Sequence, residues 1–312
     1  MPDPLLDGPQ NGELRTLIMR WWGKLTPNVK GAIFFLIASV LFTGMIVLIK
    51  LASERLHVTE VLFFRQLTMV ALAAPVIWAG WPGSVISTRP KLQLLRVCFA
   101  FGAMTLGFGA FVNLTLAEAT VISFSKSFFL TILAIIFLHE MVSWPRWTAL
   151  AAGFIGVLVI VWPEEGSALN EWHLAAVASA LCVAVVFVII RVLSRDDKPV
   201  TILTYQAVGV GALMMPLMLY YWQMPTAEEW LLILGVGVIS AMAQYVNILA
   251  IRSAEASSLA PLEYTRLVFA TAAGLWFFGE WPEDRVWLGA LIIVSAALFV
   301  VHREQRQKSD DQ

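Results

Sequence analysis

Ten separate apolar runs of about 20 residues each punctuate this chain, and no other feature constrains its fold as tightly. An α-helix rises 1.5 Å per residue, so about 20 residues cross the ~30 Å hydrocarbon core of a bilayer. The runs fall at 31–51, 60–80, 97–116, 120–138, 144–162, 172–193, 199–222, 229–251, 258–278 and 285–302. Of the 312 residues, 59% are hydrophobic and 14% charged, with a mean hydropathy of +0.77. Soluble domains carry roughly 25% charged residues, so a soluble chain of this composition could not cover its own surface. A water-soluble enzyme or a nucleic-acid binder is thereby excluded. The expected fold class is all-α integral membrane, with ten transmembrane helices. Connectors are short and hold Pro and Gly, as in Trp81-Pro82-Gly83 and Trp162-Pro163, and none has room for a soluble domain.

The ends are polar. In the tail 1–30, Leu14, Leu17, Ile18, Trp21 and Leu25 recur at helical spacing, with Arg15, Arg20 and Lys24 between them. That pattern predicts a short interfacial helix on an anionic leaflet, with a loosely ordered tail as the alternative. The first apolar run lacks a small-residue cleavage site, so it reads as a span and not as a signal peptide. Residues 303–312 form a second polar tail. With both tails placed inside, fifteen of the 21 Lys and Arg fall on the cytoplasmic side, and only Lys50, Arg55 and Arg285 on the outer side. This is the positive-inside bias of a multi-pass protein of a bacterial inner membrane. Tryptophans agree: Trp78, Trp81, Trp144 and Trp147 sit at the inner boundary, and Trp162, Trp172, Trp222 and Trp230 at the outer one. Cys98 and Cys182 both lie in apolar runs and read as small hydrophobes, with no disulfide or metal role.

Residues 31–162 and 172–302 read as two copies of one five-span unit. Each third span ends in an aromatic-Val-Asn triplet, Phe111-Val112-Asn113 and Tyr245-Val246-Asn247, and each is followed by Ala-Glu-Ala at 117–119 and 254–256. The fourth spans end in His139-Glu140 and Gly279-Glu280, with Trp147 and Trp287 seven residues after each glutamate. Five is odd, so the copies must insert with opposite orientation. Inverted repeats are the architecture of secondary transporters, which bind their solute near the midplane.

These features resemble the drug/metabolite transporter superfamily, in its EamA-type branch. The resemblance is carried by the two five-span halves, by Phe137-Leu138-His139-Glu140 and Phe277-Phe278-Gly279-Glu280, and by the stretch from Ala260 to Arg266 (APLEYTR). It covers 31–302. It implies transport of organic metabolites such as amino acids, nucleotide-linked sugars, vitamins or S-adenosylmethionine, often outward. One departure stands out: where many members have a proline 13 residues before the fourth-span glutamate, this chain has Ser127.

Most polar residues in the runs have structural readings. Arg65 is near enough to the outer interface to reach it, Glu140 and Glu280 sit at helix ends, and Asn113 and Asn247 can hydrogen-bond between helices at about 0.6–2 kcal/mol. Lys126, Glu263 and Arg266 resist that treatment. A central Lys or Arg costs roughly 2.5–3.5 kcal/mol on insertion scales, so it is kept where it lines a cavity or pairs. Lys126 lies 14 residues before Glu140 and Arg266 lies 14 before Glu280, which makes them counterparts in the repeat. Ser123, Lys126, Ser127 and Thr131 share one helical face by spacing. Glu263 and Arg266 are i, i+3 neighbours, followed by the small residues Ala270 and Gly274. Phe124, Phe128 and Tyr264 offer an aromatic wall. The expected site therefore has Lys126 and Arg266 holding an anionic group. Glu263 orients Arg266, binds an amine or takes a coupling proton. The structural alternative is a Glu263–Arg266 bridge with Lys126 snorkelling outward.

The function expected is secondary transport of an amino acid or related carboxylate-bearing metabolite by alternating access. The alternative is a larger solute such as S-adenosylmethionine, a vitamin or a phosphorylated compound. A passive channel or a membrane scaffold is the reading from another class. An intramembrane enzyme needs a catalytic cluster, whereas all four histidines lie at or beyond span ends and there is no HExxH. No catalytic residue, cofactor or metal is expected. The partners are a small organic solute and the lipid bilayer, with no nucleic acid and with no preference between monomer and homodimer.

Overall fold

A computed structural model describes residues 26–83, 85–138, 144–162, 170–253 and 260–310. The expected tail helix, the His139-Glu140 pair and the Ala254-Glu255-Ala256 landmark lie outside the described residues. Among the described residues every regular element is helical. The helices are α1 (Pro27–Ala52), α2 (Val58–Ala79), α3 (Pro90–Asn113), α4 (Leu116–Ser123), α5 (Lys126–Leu138), α6 (Trp144–Val161), α7 (Glu171–Leu193), α8 (Pro199–Tyr220), α9 (Ala227–Ser253), α10 (Thr265–Ala273) and α11 (Asp284–Asp310). They fall on the apolar runs, and six of the described helical segments are long and apolar enough to cross a bilayer.

Local chemistry sets the helix starts. Proline opens α1, α3 and α8, where its missing N–H costs nothing. Asn170 caps α7 by accepting from the Trp172 amide, and Thr115 caps α4 by accepting from the Glu118 amide. α3 begins seven residues earlier than the apolar run because Gln93 and Arg96, though polar, are buried. Gln93 Nε2 donates to Asp197 at 2.9 Å and Arg96 Nη2 to the Ile202 carbonyl at 2.6 Å.

Two runs are not single helices, which corrects the expectation for 120–138 and 258–278. The fourth run breaks at Phe124-Ser125, between α4 and α5. No proline is needed: Ser123 Oγ donates to the Thr120 carbonyl at 2.7 Å, and such local back-bonding competes with the helical ladder. The ninth run starts as a 3₁₀ turn over Ala260–Tyr264, continues as α10, and widens to a π turn over Gly274–Phe278. It stops at Gly279, whose φ of +64° favours glycine. There Glu280 accepts from the Leu116 amide at 2.9 Å and forms an ion pair with Lys50. Lys50 Nζ also donates to the Leu114 carbonyl at 2.7 Å, so one knot ties α1, the α3–α4 link and the end of the ninth run.

The packing has an internal regularity. The main helix pairs are α1 with α9, α3 with α7, α6 with α11 and α2 with α8, followed by α2 with α9, α5 with α7, α3 with α8, α1 with α10 and α4 with α10. Exchange each apolar run for the one five places later, and every pair maps onto itself or onto another of the set. α2 and α8 are both 22 residues long, and each has a proline 17 residues after its first residue, Pro75 and Pro216. Two residues before the ends of α1 and α7 stand Lys50 and Arg191, both favourable at a helix C-terminus.

Where α6 crosses α11, Gly156 faces Gly289. A Cβ on Gly156 would lie 2.9 Å from the Gly289 carbonyl oxygen and 2.7 Å from Ile293 Cγ1. Gly156→Leu should therefore destabilise the purified protein by about 1–3 kcal/mol of overpacking or more, read as a lower thermal midpoint. An unchanged midpoint would mean that the crossing yields freely.

At the opposite end from the Lys50 knot, Asp197 joins the α7–α8 link to the α2–α3 link. Burial raises its pKa, but hydrogen bonds from Ser87 Oγ, the Thr88 amide and hydroxyl, and Gln93 outweigh that and hold it at about 2, below the ordinary 3.8. A depressed carboxylate stabilises the fold fully above its unfolded pKa, and that contribution fades as pH falls from 3.8 toward 2. Asp197→Asn should lower the melting temperature at neutral pH and flatten the acid limb of the stability profile between these values. Superimposable wild-type and variant profiles would refute this role.

Candidate functional site

Lys126 is the first residue of α5, directly after the break in the fourth run. Glu263 lies in the 3₁₀ turn that opens the ninth. The two irregular segments meet through their side chains, and Lys126 Nζ lies 3.2 Å from Glu263 Oε2, with both side chains partly exposed. Tyr264, next in sequence, meets Phe124 edge to face at 5.1 Å. Thr265 Oγ1 donates to the Leu262 carbonyl at 2.6 Å, which fixes the turn into α10.

Beside this pair is a cavity of about 250 Å³ between α3, α7 and the break in the fourth run. Ser123 and Lys126 supply its polar side, and Met104, Phe108, Phe111 and Ser179 much of the rest. Gly107 is required there: a Cβ on it would lie 2.5 Å from Ser179 Oγ, which donates to the Ala103 carbonyl at 2.7 Å.

Arg266 lies elsewhere than expected. Its guanidinium carbon sits 5.4 Å from the Phe35 ring centroid and 5.3 Å from that of Phe42, both on α1. Its Nε is buried without a hydrogen-bond partner. Glu263 thus pairs with Lys126 and does not orient Arg266, which corrects both the expected Glu263–Arg266 bridge and the outward snorkelling of Lys126. Glu263 stands in the 3₁₀ turn and Arg266 in the α-helix that follows, so the regular i, i+3 spacing of one helix is not kept, and the cation lies against two aromatic faces.

The remaining expected residues divide. Ser123, Lys126, Phe124, Glu263 and Tyr264 come together around the two breaks. Ser127, Thr131 and Phe128 do not line the cavity. Ser127 is exposed, Thr131 Oγ1 donates to the Ser127 carbonyl at 2.9 Å, and Phe128 stacks on Phe154 of α6 at 5.2 Å. The break at Phe124-Ser125 is the cause, because it interrupts the face that unbroken spacing would have made continuous. Asn113 is no interhelical bridge: its Nδ2 donates to the Gly109 carbonyl of its own helix at 2.8 Å. Asn247 is half-buried on α9. Ala270 and Gly274 serve close packing, against Val47 and Leu116 and under Glu280.

Arg65 is also corrected. It does not reach the outer interface but is 6% exposed in the interior. Its Nε donates to Ser240 Oγ of α9 at 2.8 Å and its Nη1 to Gln66 Oε1 at 3.0 Å. Sequence reasoning missed Phe35 and Phe42 against Arg266, and Met104, Phe108 and Ser179 in the cavity wall, since such residues in an apolar run carry no mark of what they face.

Known proteins agree on the class. The EamA-like transporter family matches twice, over residues 29–162 and 170–302. The chain is 29% identical over 285 residues to an S-adenosylmethionine uptake transporter of Rickettsia felis, covering 91% of this chain and 97% of that protein. It is 34% identical over 180 residues to a riboflavin transporter of Vibrio cholerae (57% and 60% covered). A pseudopaline exporter of Pseudomonas aeruginosa is 28% identical over 272 residues, with 86% and 94% covered. In fold alone, a solved crystal structure superposes with a TM-score of 0.64 at 15% identity, over 89% of this chain and 98% of that one. With both halves of its length matched by one family, this membrane-spanning, all-helical chain belongs to the EamA-like transporters.

Proposed function

We propose that this transporter has ten spans arranged as two inverted five-span repeats, with both termini cytoplasmic in a bacterial inner membrane, and that it carries S-adenosylmethionine or a solute of that class. The two family matches, the exchange regularity of the helix pairs and the matched Pro75 and Pro216 support the repeat. The asymmetry of Lys and Arg supports the orientation. Relatives that match nearly end to end carry S-adenosylmethionine, so this solute takes the place of the plain amino acid that the sequence put first.

One observation carries the reading: Lys126 and Glu263 meet at 3.2 Å beside the cavity, where the two broken runs pack together. An ion pair in a low-dielectric interior is stable only while each charge has its partner. A zwitterionic amino-acid group can replace the pair charge for charge, its carboxylate on Lys126 and its ammonium on Glu263. Phe108 and Phe111 then offer ring faces to a base or a sulfonium. Arg266 adds positive charge from the α1 side, and Glu263 is the group able to take a coupling proton. A cavity of about 250 Å³ holds the charged end of such a solute and part of its ring system. The second reading is riboflavin, favoured by the partial match to a riboflavin transporter. A flavin has no amino-acid group and would leave the Lys126–Glu263 pair intact.

Counterflow in proteoliposomes tests this. The wild type should exchange internal for labelled external S-adenosylmethionine. Lys126→Ala should reduce exchange about thirtyfold or more, the scale of leaving the Glu263 charge without its partner, and Arg266→Ala should reduce it as well, both while remaining folded by gel filtration. Normal exchange by both variants would remove these residues from the site. Exchange of riboflavin alone would move the solute to the second reading, and flux without counterflow would mark a channel.

A further inference from the structure

Arg65 is a buried cation whose partners are all neutral. Ser240 Oγ and Gln66 Oε1 accept its hydrogen bonds, and its guanidinium carbon sits 5.8 Å from the centroid of the Phe108 ring. Among the described residues no carboxylate pairs with it. The Ser240 hydroxyl is itself committed, donating to Met45 Sδ at 2.9 Å. Arg96, also buried, likewise rests on a neutral acceptor, the Ile202 carbonyl, but it stands at the bundle end and away from the cavity, and the other cations that tie elements together have carboxylate partners. Lys50 has Glu280, Arg55 has Glu229, Arg89 has Asp196 and Arg285 has Glu283. Joining α2 to α9 would need only a neutral donor. A full charge held 94% out of solvent on neutral acceptors costs several kcal/mol unless an anion reaches it at some point.

Position says where that anion comes from. Phe108 presents its ring to Arg65 and is also a wall of the cavity that holds Lys126. Arg65 lies seven residues into α2 from the end that adjoins the Lys50 knot, whereas Lys126 lies ten residues beyond the start of α4 at that same end. At 1.5 Å per residue the two cations are therefore about 5 Å apart in depth, with one aromatic ring beside the path between them. Phe108 lines the cavity beside Met104, so a change in its side-chain torsions would open Arg65 to the cavity.

We propose that Arg65 is a second solute-binding cation, screened from the cavity by Phe108 in this conformation, that receives the solute's carboxylate when the ring swings away. The carboxylate then passes between Lys126 and Arg65 as access alternates, and the solute's ammonium stays with Glu263. This inference rests on the S-adenosylmethionine reading above and adds a second anion position, nearer the Lys50 end.

The test compares two solutes that differ only in the carboxylate, S-adenosylmethionine and its decarboxylated form, in proteoliposome counterflow. Arg65→Gln should raise KM for S-adenosylmethionine about thirtyfold or more and leave KM for the decarboxylated solute unchanged. Arg65→Lys, which keeps the charge but not the fork geometry, should show the same selective rise at a smaller size. It carries the test if the Gln variant does not fold. Equal KM changes for the two solutes, or none for either, would make Arg65 a structural tie and overturn the proposal. A wild type that exchanges neither solute would overturn the solute reading and this inference with it. A wild type that exchanges S-adenosylmethionine while Arg65→Gln does so equally well would overturn the inference alone.

Discussion

In hydrocarbon an unpaired backbone N–H or C=O has no water to turn to, and each costs several kcal/mol. A membrane chain can therefore break its helices only where protein covers the break. The two irregular segments here obey that constraint jointly. The Phe124-Ser125 break in the fourth run is buried, and it meets the 3₁₀ turn of the ninth through Phe124 with Tyr264 and Lys126 with Glu263. Each break brings an ionisable side chain with it, Lys126 and Glu263, and the two charges pair. The placement of the cavity follows, since helices that stop short leave space that straight ones would fill.

Charge is distributed in two tiers. Toward the ends of the bundle, ion pairs and caps act as fasteners: the Lys50–Glu280 knot, Arg55 with Glu229, and Asp197 with the α2–α3 link. His173 Nε2 and Glu118 Oε1, 2.5 Å apart, likewise fasten α7 to α4. In the interior the arrangement is looser. Lys126 and Glu263 are partly exposed, Arg266 rests between two rings with its Nε unsatisfied, and Arg65 has neutral partners. Satisfied charges hold a structure still. Under-satisfied ones are left for a ligand to complete, and it is on these that the proposed function rests.

Close approach of helices depends on a few small residues. Gly156 and Gly289 let α6 and α11 touch, and Gly107 admits the Ser179 hydroxyl beside the cavity. Gly274 leaves room for Glu280, and Gly279 closes the ninth run in a left-handed conformation. Between lipid-soaked helices the hydrophobic effect gives little preference for contact, so van der Waals fit at such positions does much of the holding.

The amino-acid sequence by itself determined the membrane, the helical class and the short list of charges that needed explanation. Hydropathy and charge cost are local properties of a segment in lipid, so residues 31–51 or 172–193 declare themselves without reference to the rest of the chain. Lys126, Glu263 and Arg266 were legible for the same reason, as expensive groups in apolar surroundings. The matched prolines at 75 and 216 became a mark of repetition only with the bounds of α2 and α8 in hand. Tertiary structure alone decided who meets whom. It gave Glu263 to Lys126 and left Arg266 to Phe35 and Phe42, turned Asn113 back on its own helix and drew Arg65 inward to Ser240. Those outcomes depend on where a helix breaks and which neighbour covers the break. That is a property of packed surfaces from distant parts of the chain, and no periodicity along one segment encodes it.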